Sequence, residues 1–279
     1  MAGESFINRI NPTYCSCLIT YVDVLGFAEL IEKSRKDPTL VPKIASLLSA
    51  IKVAASSGGQ IHRDADGKAI DIFSAFNFSD LTIRTTQIPT GNQVSKIVQW
   101  EIFYLAELQL NLLIDGYPIR GSMCVGDLYA RESEGIVFGP SLVKAHVLES
   151  SYAIFPRIVI DRDLAATIKR EGVIPTWRDY INRGEDGVHY LDYLFGSSVT
   201  AFETGVPGTA DPRRIIRAHR DFIKEVIEDD IDRKSERTKQ KYIWLAQYHN
   251  NVIKRLLDRL KDKAAGIDEF GIPESLLEF

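Results

Sequence analysis

The stretch CSCLITYVDVLGF (15–27) reads as a buried strand, a tight turn and the opening of a helix. Residues 15–24 form an unbroken, β-favouring and mainly apolar run, the pattern of a strand covered on both faces. Gly26 makes the exit turn, and FAELIEKS (27–34) carries the chain into a helix. Asp23 therefore stands at the carboxyl end of a strand, beside a turn.

Downstream, Val41, Ile44, Leu47, Leu48 and Ile51 recur at helical spacing until Gly58-Gly59 stops them. KAIDIFSAF, NFSD and LTIRTT (69–86) read as strand, tight turn and strand, with Asp80 among the turn formers at the tip. Asn92 to Leu113 is a long amphipathic helix, ended by Asp115-Gly116 and by Pro118. YPIRGSMCVGDLYA (117–130) is the next strand, and Glu134 to Phe138 is short and extended. Gly139-Pro140-Ser141 opens a helix, LVKAHVLESS, and residues 156–161 make a further strand. The stretch from about 171 to 210 is punctuated by Gly and Pro, with one aromatic strand, HYLDYLF (189–195).

After Asp211-Pro212 the chain turns to charged helices over about 212–234 and 236–264. Leu245, Ile253, Leu256 and Leu260 form an inward stripe there, which leaves Trp244 and Tyr248 partly interfacial. The order of elements predicts an α+β fold, a sheet with flanking helices plus a C-terminal helical extension. The expected division is 14–205 for the catalytic domain and 206–279 for the extension.

Composition narrows the function. The 279 residues are 45% hydrophobic and 26% charged, enough for a full core. A net charge of −4 gives no basic footprint for nucleic acid, although metal ions and local Lys or Arg still bind a small anion. Three cysteines, Cys15, Cys17 and Cys124, fit no disulfide framework or zinc site and are expected to be structural in a reducing compartment. The first residues lack the pattern of a signal peptide, and no apolar run reaches the roughly 20 residues of a membrane span. A cytoplasmic location is the expectation.

Asp23 and Asp80 are the chemical candidates. Carboxylates from the ends of adjacent strands converge on divalent cations such as Mg²⁺ or Mn²⁺, which favour oxygen ligands. Taken alone, each aspartate is equally a turn cap. The five histidines are dispersed without metal or triad spacing, and His146 and His249 are expected to be structural.

YVDVLGF (21–27) resembles the first-strand motif of the class III nucleotide cyclases, whose sheet is ferredoxin-like, or palm-like. FSD (78–80) sits where that family carries its second metal aspartate, IRGSMCVGDLY (119–129) resembles its Arg-x-Gly strand, and VFGPSLVKAHVLE (137–149) resembles the helix that follows. Together with KYIWLAQYHN (241–250), these segments are similar to the Pycsar pyrimidine cyclases of bacterial antiphage defence. The resemblance implies two Mn²⁺ or Mg²⁺ ions on Asp23, Asp80 and the carbonyl of Val24. It places substrate phosphate on the amides of Leu25, Gly26 and Phe27. It further implies a homodimer with sites at the subunit interface, a nucleoside triphosphate substrate, and a downstream effector that senses the cyclic nucleotide.

Two departures refine it. The purine-reading positions of adenylate and guanylate cyclases fall at Phe76 and Ile136, whose apolar side chains form no base hydrogen bonds, which favours UTP or CTP. The family's transition-state Asn and Arg fall at Val143 and Val147, so another cation is required. Arg84, which shares a strand face with Asp80 through Thr82, is one candidate, and Arg120, Lys144, Arg157 and Lys241 are the others. The expected activity is closure of UTP or CTP to the 3′,5′-cyclic monophosphate with release of pyrophosphate. The alternative is a catalytically silent nucleotide-binding module on the same fold. A palm-fold polymerase relative is disfavoured for want of a basic template groove and a GGDEF-like signature.

Overall fold

The computed structural model describes residues 13–57, 61–63, 69–71, 73–89, 94–171, 175–204, 211–231 and 234–277. The chain opens with strand β1 (Cys15–Val24), helix α1 (Phe27–Ser34) and helix α2 (Leu40–Ala55). Among the described residues, strands β2 (Ile61–Arg63) and β3 (Ala69–Asp71) pair with each other in a separate sheet. A hairpin of β4 (Phe73–Phe78) and β5 (Leu81–Gln87) leads to helix α3 (Val94–Ile114). Next come β6 (Ile119–Arg131), β7 (Ile136–Phe138), α4 (Pro140–Tyr152), β8 (Ile158–Ile160) and α5 (Arg162–Glu171). The last elements are β9 (Ile181–Arg183), β10 (His189–Leu191), α6 (Tyr193–Thr204), α7 (Pro212–Asp230) and α8 (Glu236–Leu260).

The main sheet runs β4-β5-β1-β6-β8-β10-β9, with β7 added to the far end of β6. β1 lies at its centre, antiparallel to both β5 and β6, while β6 and β8 are parallel. This is an α+β sheet with flanking helices. Gly121 explains how β1 and β6 lie so close: a Cβ there would stand 2.4 Å from the Tyr21 carbonyl oxygen. Side chains alternate along β1. Leu18, Val22 and Val24 enter the larger core under α2, α3 and the C-terminal helices. Cys17 and Ile19 enter a smaller one with Phe76, Cys124 and Ala145 under α4.

α4 lies close on the sheet because its inner stripe is small. Ser141 and Ala145 face β6, and the Ser122 hydroxyl donates to the Ala145 carbonyl at 2.7 Å. The next residue on that stripe is Glu149, 3% exposed. The outer face of α4 is apolar yet exposed at Val143 and Val147.

α7 and α8 share the larger core with α3 and α6, through Ile216, Ile223, Leu245 and Leu256 among others. Polar groups fix their register. The Tyr248 hydroxyl donates to Asp192 at 2.9 Å and accepts from the Leu194 amide, and Arg255 reaches the other Asp192 oxygen at 2.6 Å. His219 and His249 stack in the same interior, with Nδ1 atoms 3.0 Å apart.

The elements differ from the sequence reading in several places, among them KAIDIFSAF, which divides between β3 and β4 in different sheets. HYLDYLF is a strand only to Leu191; the Asp192 carboxylate accepts from the Phe195 amide and starts α6, so the aromatic run is helical from Tyr193. α5 follows β8 directly; the sequence reading assigns no helix there, although Leu164, Ala165 and Ile168 recur at helical spacing. Tyr248 is buried rather than interfacial, its hydroxyl satisfied by Asp192. α3 is 21 residues long and apolar enough to cross a membrane by composition, but most of it is buried in the larger core, where it packs with α5, α6 and α7. The expected start of α3 at Asn92, the stop at Gly58-Gly59 and the strand position of Ile72 lie outside the described residues.

Candidate active site

The centre forms where β1 ends, on the α4 side of the sheet. Asp23 is the next-to-last residue of β1 and registers opposite Arg120 on β6. Asp80 occupies the two-residue turn between β4 and β5, after Ser79 in a left-handed conformation (φ 59°). Because β5 is the neighbour of β1, that turn brings the Asp80 carboxylate within hydrogen-bonding reach of Asp23. Arg120 donates to Asp23 Oδ2 from both Nε (3.3 Å) and Nη2 (3.2 Å). Arg120 Nε also lies 2.7 Å from Glu149 Oε1, an ion pair with the buried carboxylate of α4.

Two carboxylates thus flank one guanidinium, and a third, Asp80, stands against Asp23. Burial and the charge of Asp80 push the Asp23 carboxyl up to about 6, against the opposing pull of Arg120. The same carboxylates, after burial itself, raise the Tyr21 phenol. The donors are hard oxygens with excess negative charge, a set that fits Mg²⁺ or Mn²⁺. Among the described residues no group of three or more His, Cys, Asp or Glu is gathered as a complete metal cage. Two carboxylates and a backbone carbonyl suit an ion that keeps waters or ligand oxygens in its coordination shell.

Beside this centre, beyond Val24, a cleft of about 180 Å³ opens. One wall is the turn Leu25–Phe27 into α1, where Gly26 takes the left-handed conformation (φ 79°) that lets the chain reverse. The Leu25 amide donates to the Pro118 carbonyl at 2.9 Å, so of the three amides expected to receive phosphate, this one is engaged. Those of Gly26 and Phe27 stand at the start of α1, where backbone donors lack intrahelical partners. The opposite wall comes from the C-terminal part of the chain, through Lys234, Thr238, Lys241 and Tyr242.

The five candidate cations are not gathered. Arg120 touches Asp23, and Lys241 lines the adjoining cleft. Arg84 is 1% exposed and points into the core, paired with Glu101 at 2.8 and 2.9 Å and lying over the Tyr104 ring. Lys144 pairs with Asp161 at 2.7 Å, and buried Arg157 pairs with Asp186 at 2.5 Å. Phe76 is committed to the smaller core, and Ile136 is 38% exposed on β7. Glu149 escaped the sequence reading; the signal was its place four residues after Ala145 on a helix whose inner stripe is otherwise small.

No protein-family model matches the chain. No curated protein matches it significantly. Among solved structures, the chain is similar to the adenylyl cyclase CyaB from P. aeruginosa, at 14% identity and a TM-score of 0.42, over 65% of this chain and 96% of that one. A TM-score of 0.42 is a partial likeness of shape and identifies no activity.

Proposed function

We propose that this chain is a nucleotidyl cyclase that closes a pyrimidine nucleoside triphosphate, UTP or CTP, into its 3′,5′-cyclic monophosphate. The observation that carries the reading is the convergence of Asp23 and Asp80 next to Arg120 and Glu149, with a cleft and the start of α1 immediately beyond. Excess negative charge flanked by helix-terminal amides is what a metal-bound polyphosphate requires. The motif resemblance of 21–27, 78–80, 119–129 and 137–149 supports the choice of cyclization over other phosphoryl transfers, and it suggests a second-messenger role in bacterial antiphage defence.

In this reading Asp23, Asp80 and the Val24 carbonyl hold two Mn²⁺ or Mg²⁺ ions, which supply charge neutralisation and acidify the ribose hydroxyl. Arg120 fixes the Asp23 carboxylate from two nitrogens and balances Glu149 behind it. The Gly26 and Phe27 amides receive phosphate oxygens. The ribose 3′-hydroxyl loses its proton to water as its oxygen attacks the α-phosphorus, the bond from that phosphorus to the α–β bridging oxygen breaks, and pyrophosphate leaves with that oxygen. The apolar Phe76 and Ile136 offer no hydrogen bond to a purine edge. The exposed valines of α4 support a homodimer, since a second copy covering Val143 and Val147 would bury an apolar face otherwise left in water.

The absence of any cation at Val143 and Val147 favours a second reading, a silent module that binds nucleotide without turnover. Incubation of the purified protein with each of the four triphosphates and Mn²⁺, followed by mass spectrometry, separates the two. Cyclic UMP or CMP, absent from Asp80→Asn, is the expected product. Cyclic AMP or GMP would overturn the base assignment, and bound but unchanged nucleotide would establish the silent module.

A further inference from the structure

Pocket and charge together assign a role to the C-terminal helices that the motifs at 21–27 and 78–80 do not contain. Among the described residues, the cleft beyond Val24 is lined by three lysines, Lys33, Lys234 and Lys241, and one carboxylate, Glu29. The chain as a whole carries a net charge of −4, so this local excess of cations is not its background. Lys33 and Lys234 both reach Glu29 Oε1, at 3.1 and 3.3 Å. The Lys241 ammonium has no hydrogen-bond or ion-pair partner among the described residues. It is half-buried on α8, and burial, Arg120 and Arg237 all press its ammonium toward the neutral form, with only Asp23 opposing them. A cation held among cations, out of full contact with water, is relieved by an anion.

The volume limits what that anion is. About 180 Å³ is smaller than the roughly 300–1,000 Å³ of sites that enclose a whole small molecule. It suits one end of a ligand whose remainder lies elsewhere. The Val24–Phe27 turn in its wall directly follows Asp23 in the chain, and Lys241 in the same lining feels the charges of Asp23 and Arg120, so the cleft adjoins the carboxylate centre.

We infer that α8 and the segment before it complete a polyphosphate subsite within the same chain, in which Lys241, aided by Lys234, Lys33 and Thr238, holds the terminal phosphates of the triphosphate and the departing pyrophosphate. This rests on the cyclase reading for the identity of the ligand, though the subsite itself is an anion site of this chain. Glu29 acts as the internal counter-charge that keeps Lys33 and Lys234 in place when the cleft holds no phosphate. The C-terminal extension is thereby a positioning element of the site as well as a packing element.

The test is calorimetric titration of the full chain with inorganic tripolyphosphate in buffer containing Mn²⁺. Lys241→Met is expected to weaken binding about tenfold or more, as loss of a hydrogen bond between charged groups does. Lys241→Arg should stay near the parent, and Lys254→Met, an exposed lysine on the same helix, should be unchanged. Unaltered thermal melting of Lys241→Met excludes misfolding as the cause. Parental affinity in Lys241→Met, or no binding by the parent, overturns the subsite. Steady-state kinetics on the same variants distinguishes the two ideas. Cyclic product formed with unchanged kcat and KM by Lys241→Met sinks the subsite and leaves the cyclase reading standing. Lys241-dependent tripolyphosphate binding without cyclic product does the reverse.

Discussion

At the scale of single residues, the chemistry of this chain is set by how few cations face its carboxylates. Asp23 and Glu149 share Arg120, and burial together with the neighbouring Asp80 raises the Asp23 carboxyl to about 6. Replacing Asp80 with Asn removes one side of that repulsion. The metal-free variant should melt no lower than the parent, whereas the rise in Tm that Mn²⁺ gives the parent should vanish; differential scanning calorimetry with and without the ion reads both. Turnover in the same variant is expected to fall by at least about a hundredfold, because charge neutralisation at the reacting phosphate is worth several kcal/mol. Arg84 is the opposite case. Its guanidinium is fully enclosed by Glu101, the Ala55 and Ser57 carbonyls and the Tyr104 ring. Glu101→Ala should cost about 3–5 kcal/mol of stability, the usual result of stranding one partner of a buried pair. A urea titration would show it.

At the scale of elements, the site depends on the contact between β1 and β6. Gly121 allows it, since any side chain there would meet the Tyr21 carbonyl. Gly121→Ala is expected to lose about 1–3 kcal/mol by overpacking, read as a lower urea midpoint, and to displace Arg120 one residue away. α4 is matched to the same sheet by Ser141 and Ala145, which leaves Val143 and Val147 outside. Paired Val143→Asp and Val147→Asp changes should yield a folded monomer in sedimentation velocity if that face joins two copies. A monomeric parent would contradict the dimer.

At the scale of the whole molecule, α7 and α8 are tied to the rest by buried neutral histidines. Full satisfaction has one arrangement: the Tyr193 hydroxyl donates to His219 Nε2, His219 Nδ1–H donates to His249 Nδ1, and His249 Nε2–H donates to the Phe270 carbonyl. A proton added to either ring would place a charge in this interior without a carboxylate among the described residues to pair it. Burial pushes His249 down to about 4 and His219 well below its ordinary value. The unfolded chain protonates these groups near pH 6.5 and the folded chain does not, so stability is fully present above that pH and is lost as pH falls toward 4. Each histidine contributes a slope of about 1.4 kcal/mol per pH unit within that window. Urea midpoints at pH 7.5 and 5.5 should therefore differ, and His249→Gln should flatten the difference.

Local signals determined a good part of this protein. Runs of β-favouring residues, turn formers and helix stops are properties of a few neighbouring positions. They placed β1, the β4–β5 turn, β6 and α4 in order, and they put Asp23 and Asp80 at strand ends. HYLDYLF misled because its aromatic pattern suits a strand or a buried helix equally, and the Asp192 cap that decides between them is one residue. Only the tertiary structure decided where the charges went. Strand periodicity puts Arg84 on the face of Thr82, but which helix covers that face is not a local property, and α3 turned out to supply Glu101. The partnership of Arg120 with Glu149 joins β6 to α4, and the cleft joins Glu29 to Lys234 across 205 positions of sequence. Such contacts arise from how the C-terminal helices pack on one continuous core, and no window of sequence contains both sides of them.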